Sequence, residues 1–161
     1  MKIIAQKTAT GVSITYPLGK SIEALVAELE DAVIIEASEL PSDRTFRNAW
    51  KLEEEVWSYH KHKDHAQKTM PWVLEWGSGW KVVVDLGKAK EMCHTQRRIV
   101  RAEEFAPWDI KVTIRDESAA AEAQRQKIRT KHAAIQTQID GAATTEVLEG
   151  IYKTLIVPST M

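Results

Sequence analysis

The chain has 161 residues, 43% of them hydrophobic and 28% charged, which suits one ordinary domain or a small domain with a helical appendage and excludes two full enzyme domains. With 22 basic against 23 acidic side chains the formal net charge is -1, so no global field steers it to nucleic acid or to an anionic membrane. The single cysteine, Cys93, excludes an internal disulfide and C-x-x-C metal or redox pairs, which fits a reducing compartment such as a bacterial cytoplasm. The opening MKIIAQKTATG is too short an apolar run for a signal-peptide core, and no segment approaches the ~18 apolar residues of a membrane helix, so a soluble protein with no membrane partner is expected.

Ile3-Ile4-Ala5 and Val12-Ser13-Ile14-Thr15-Tyr16 read as two strands of a hairpin across Thr10-Gly11, because Val12, Ile14 and Tyr16 alternate with small polar residues. Pro17-Leu18-Gly19 ends the second strand. Ile22, Leu25, Val26 and Leu29 then recur at helical spacing, with Ser21 as the N-cap and Glu23 in the first turn. Ala32 to Glu36 is the strongest strand signal in the chain. From Glu53 to Trp80 a charged centre lies between aromatic ends, the pattern of a long hairpin or insertion, with Gly77-Ser78-Gly79 as a turn and Lys81 to Asp85 as a strand leading into a helix. A helix is predicted from about Lys88 to Phe105, broken by Pro107. A second starts near Asp116 or Ser118 and stops at Asp140-Gly141, with a narrow stripe of Ala121, Ile128, Ile135 and Ile139 that predicts pairing with one partner helix, within the chain or between chains. Thr144 or Thr145 caps a last short helix through Leu155. The whole reads as α+β: a β-rich domain over 1–85, hairpin plus short helix, with an aromatic insertion at about 53–82, then a helical region over 86–161.

His60, His62 and His65 have the residue type of a metal site, since imidazoles at i and i+2 on a strand share a face. The interleaved lysines repel a cation and no cysteine lies near, so a solvated hairpin arm is the favoured reading and no metal or other cofactor is expected. Trp72, Leu74 and Trp76 alternate and Trp80 follows, a pattern shared by cross-strand packing and by a protein interface. Arg97, Arg98 and Arg101 with Lys88 and Lys90 make a locally basic helix, but Glu91, Glu103 and Glu104 are close enough to pair with them, which favours a solvated ion-pair face over phosphate binding. No G-x-S-x-G, P-loop, H-E-x-x-H or paired-carboxylate pattern is present, so no catalytic residue and no enzymatic activity are expected. The interface candidates are Trp72, Trp76, Trp80, Arg97, Arg101, Ile128 and Ile135.

Between the strand and the insertion lies Leu40 to Leu52, LPSDRTFRNAWKL. Pro41-Ser42-Asp43 is a turn signal, with Asp43 placed to bond the backbone two residues on; Phe46 and Trp50 share a face as a helix, or with Asn48 as a strand. Arg44 and Arg47 are left to pair with acids such as Asp43 or Glu39. This stretch resembles a motif of small proteins encoded among the tail genes of tailed bacteriophages, in which a strand like VIIEASELP runs into PSDRTFRNAW. A short strand ending in aspartate and an arginine-rich helix follow in those proteins, as Val83-Val84-Asp85 and Arg97 to Arg101 do here. The resemblance covers about 33–109. It departs from that pattern in about thirty residues, Glu53 to Val82, inserted where those proteins have a short turn. The helical half is similar in outline to tail-fibre assembly proteins and tail assembly chaperones. The resemblance implies a non-catalytic protein that binds a phage tail or fibre protein, with self-association also open, in the host cytoplasm during assembly. Its alternatives are a structural part of the virion tail, or a host-factor or nucleic-acid binder acting in counter-defence.

Overall fold

The computed structural model describes residues 1–19, 21–62 and 72–157, with backbone alone for 55–62 and 72–78. The fold is α+β, and the chain divides into two units, Met1–Val84 and Asp85–Met161.

In the first unit, β1 (Lys2–Thr8) is the centre of a three-stranded antiparallel sheet, between β2 (Gly11–Thr15) and β3 (Ala32–Glu36). Ala5 pairs with Ile14 on one side and Val33 on the other, and Ile3 pairs with Ile35, so the period-2 alternation gathers these apolar residues on one face. That face meets the base of a second, two-stranded sheet made by β4 (Trp50–His62) and β5 (Trp72–Val84), where Trp50 pairs with Val84 and Leu52 with Val82. Ile3, Ala5, Ile35, Trp50 and Val82 form the buried core of this contact. Ile4, on the opposite face, is fully buried, and α1 (Ile22–Ala27) contacts both β1 and β3. Ser21 is the N-cap residue of α1, as expected, but its side chain makes no capping bond, because its hydroxyl donates to Glu23 Oε2 at 2.6 Å. Tyr16 lies past the end of β2 and is exposed.

The LPSDRTFRNAWKL stretch is a corner between the two sheets. Asp43 Oδ1 accepts from Thr45 N at 2.6 Å, a tight turn follows over Arg47–Ala49, and Phe46, Ala49 and Trp50 are all buried. Gly11 belongs to the same corner, since a Cβ there would lie 3.2 Å from the Trp50 carbonyl oxygen. Arg44 and Arg47 are exposed and, contrary to expectation, neither pairs with a described acid: Glu39 instead accepts from Glu36 N at 2.9 Å. Gly77-Ser78-Gly79 is likewise no turn. It lies inside β5 opposite Trp57, Val56 and Glu55, because the ladder that starts at Trp50 and Val84 continues without a register break; residues 63–71, between β4 and β5, fall outside the described residues.

The second unit is helical. Asp85 caps α2 (Leu86–Lys111) by accepting from Lys88 N at 3.0 Å. Pro107 does not break this helix. Proline forfeits its own N–H bond and its ring crowds the carbonyl four residues back, but the turns on either side bear that cost and the helix runs on to Lys111, with Trp108 O accepting from Val112 N at 2.9 Å. The next helix, α3 (Ser118–Gly141), runs back along α2: Lys90 reaches the Asp140 carbonyl, Glu104 meets Lys131, and Asp109 meets Arg125, an order that makes the pair antiparallel. The last helix, α4 (Thr145–Ile156), is capped by Thr144 and contacts both others, with Leu148 and Leu155 buried. Its Leu148 carbonyl lies 3.8 Å from Cys93 Sγ, so α4 covers the part of α2 near Cys93.

Trp50 is the largest side chain of the β core, and Trp50→Ala should cost about 3–5 kcal/mol of stability in that unit. Chemical denaturation monitored by near-ultraviolet dichroism should show this loss while the far-ultraviolet helical signal persists.

Candidate functional site: an arginine groove on the helical hairpin

On α3, Ala121, Arg125, Ile128, His132, Ile135 and Ile139 step by four and three, so they lie on one face of the helix. Ala121, His132 and Ile139 are buried; Ile128 and Ile135 are half-buried. The seam is therefore not purely apolar. His132, with 1% of its side chain exposed, places Nε2 3.1 Å from Glu104 Oε2 on α2, and the other Glu104 oxygen is 2.5 Å from Lys131 Nζ. Arg97 Nη1 donates to the His132 carbonyl at 3.2 Å. Burial pushes the His132 pKa down and outweighs the opposing pull of Glu104. For Glu104, burial acts upward, but the hydrogen bonds from Lys131 and His132 prevail and hold the carboxyl below its usual range. The neutral imidazole then donates from Nε2 to a carboxylate; Nδ1 is buried with no partner.

Farther along the same helix pair a groove of about 480 Å³ opens around Phe105. Arg98, Arg101, Phe105 and Asp109 line it from α2, Arg125 and Arg129 from α3. Three guanidinium carbons approach the Phe105 ring, Arg101 at 5.3 Å, Arg125 at 5.6 Å and Arg129 at 5.9 Å from its centroid. The α3 arginines are held in place: Glu122 accepts from Arg125 at 2.9 Å and from Arg129 at 2.5 Å, and Arg125 Nε lies 3.1 Å from Asp109 Oδ1. The Arg129 hydrogen bond, with the fields of both arginines, keeps the Glu122 carboxyl below its usual range. Arg98 and Arg101 on α2 have no carboxylate partner among the described residues. The arrangement offers unpaired guanidinium donors beside an aromatic ring, a chemistry of anion recognition.

The expected interface residues separate accordingly. Arg101 lies in the groove, whereas Arg97 does not: at 7% exposure it is an anchor between α2 and α3, because its position faces the helix pair and the His132 carbonyl captures it. The expected ion pairs of the α2 arginines with glutamates of α2 are also absent among the described residues, since Glu104 turns to α3. Ile128 and Ile135 lie half-buried on the face of α3 that carries His132. Trp80 is 41% exposed and, with Ile34, Lys2 and Glu39, lines a groove of about 550 Å³ beside β3 and β5. Trp72 and Trp76 occupy β5 opposite His62 and Ser58, and His60 lies opposite Leu74; the side chains of His60, His62, Trp72 and Trp76, and all of His65, fall outside the description. Among the described residues no three His, Cys, Asp or Glu side chains gather as metal ligands. Phe105, Arg125 and Arg129 were not anticipated; a signal existed only for Arg125, in the unbroken four-three spacing of α3 once its polar members are kept.

No protein-family model, curated protein or solved structure matches this chain.

Because His132 is held below its ordinary value of 6.5, the unfolded chain takes up that proton first as the pH falls. The stability this confers is present above that value and is lost as acid titrates the folded imidazole, with protonation of Glu104 adding to the loss at lower pH. Thermal melts should therefore show the helical unit weakening from neutral pH to about pH 5. His132→Gln, which retains an N–H for Glu104 but cannot titrate, should flatten that slope.

Proposed function

We propose that this chain is a non-enzymatic protein-interaction component of phage tail or tail-fibre assembly, docking its partner on the α2–α3 hairpin. The observation that carries the docking reading is the Phe105 groove, in which two arginines of α2 stand unpaired beside an aromatic ring. Arginine and aromatic side chains are the residue types that concentrate binding energy at protein interfaces. The assignment to phage tail assembly rests on the resemblance of the 33–109 segment to proteins of tail gene clusters.

The non-enzymatic part is supported by the state of the reactive groups in the helical unit. Cys93 is buried and its thiol is pushed up to about 11 by desolvation, so it is not a thiolate at neutral pH. His132 is enclosed between helices and committed to Glu104. Among the described residues no helix is long and apolar enough to cross a membrane, which is compatible with action in the host cytoplasm or on the virion tail.

Affinity purification of a tagged chain from phage-infected cells should retain a phage tail or fibre protein, identified by mass spectrometry. Enrichment of no phage structural protein above a tag-only control would contradict the reading. Mass spectrometry of purified particles separates an assembly factor from a virion part, since abundant peptides of this chain in the particle assign it to the tail itself.

A further inference from the structure

The groove around Phe105 specifies the chemistry of its occupant. Four guanidiniums meet there with two carboxylates, Asp109 in the lining and Glu122 beside it, so the site carries excess positive charge. The excess is unequally placed. Glu122 and Asp109 hold the α3 arginines against Phe105, whereas Arg98 is exposed and Arg101 is fixed only by its approach to the ring. An arginine held against an aromatic face keeps its N–H donors available for an anion. The mutual repulsion is also felt next door, where the Arg97 pKa is lowered by burial first and then by Arg101 and Arg98.

We infer that this groove binds an acidic segment of a partner protein, whose carboxylates pair with Arg98 and Arg101 while an apolar side chain of the same segment covers Phe105. The inference rests on the docking reading above and adds to it the class of ligand. Two features favour a peptide over a nucleic acid. Asp109 and Glu122 stand where a continuous phosphate backbone would be repelled, while separate carboxylates of a peptide can be spaced around them. Residues 85–161 also carry 12 basic and 11 acidic side chains, so the basic groove is local and not part of a wide cationic surface. Phe105, half-buried in the lining, gives the apolar contact for a side chain of that segment.

The test uses the full chain and fluorescence anisotropy with three labelled probes: a short Glu- and Asp-rich peptide containing one leucine, the same peptide with Gln and Asn in place of the acids, and a single-stranded oligonucleotide of similar length. The acidic peptide should bind saturably and weaken with added salt. The amide peptide should bind at least about tenfold more weakly, as should the acidic peptide to an Arg98→Glu/Arg101→Glu double variant whose helical dichroism is unchanged. Equal binding of the amide peptide, undiminished binding by the folded double variant, or tighter binding of the oligonucleotide would each overturn the inference. A chain that ignores the acidic peptide but still captures a tail protein from infected cells loses this inference and keeps the docking reading; a chain that captures no tail protein loses the reading as well.

Discussion

Glu104, His132 and Arg97 set the relation between the two long helices, and the candidate site depends on that relation. A buried imidazole with one nitrogen committed to a carboxylate tolerates no sliding of α3 along α2, because a shift of one turn would leave His132 and Glu104 in an apolar seam without partners. Arg97 adds a second fixed point by binding the carbonyl of the same histidine. Polar groups at such seam positions cost stability relative to leucine or isoleucine, and what they supply in return is a single register. That register places Arg101 and Phe105 of α2 against Arg125 and Arg129 of α3. The groove is thus a consequence of packing one to two turns away, at the α3 residues that precede the His132 lock.

The β unit is built on a different constraint. Trp50 closes the contact between the two sheets, and the segment that delivers it is the conspicuous LPSDRTFRNAWKL stretch. Dense in polar and aromatic side chains, that stretch looks like a site, yet its aromatic residues are buried and its Asp43 is spent on a backbone turn. Its arginines lie exposed and unpaired with described acids, and among the described residues neither stands over an aromatic ring. The contrast with the helical hairpin is instructive: there the arginines come from two helices and converge on one ring.

Much of the fold was legible in the sequence. Alternation in Val12-Ser13-Ile14 and the β-branched run at Ala32 to Glu36 specify strands, and the Asp140-Gly141 stop ends α3 as expected. Two errors share a cause, the treatment of a local signal as decisive. Pro107 makes a helix costlier without forbidding it, and Gly77 and Gly79 permit a turn without requiring one when a long ladder runs through them. The site was less legible. The α3 stripe read from apolar residues alone gave Ala121, Ile128, Ile135 and Ile139, which hides Arg125 and His132 at the intervening seam positions. Arg97 and Arg101 are four apart on one helix, yet one is buried and the other lines a groove, a distinction set by what α3 brings opposite each and invisible in α2 itself.

The helix register is the premise of the functional account, and the His132 imidazole reports on it directly. In a nitrogen-15 NMR spectrum of the labelled full chain at neutral pH, His132 should be the neutral tautomer protonated at Nε2, with nuclear Overhauser contacts to the Glu104 methylenes. A proton on Nδ1, or an imidazole averaging freely in solvent and without contact to α2, would contradict the register and with it the groove.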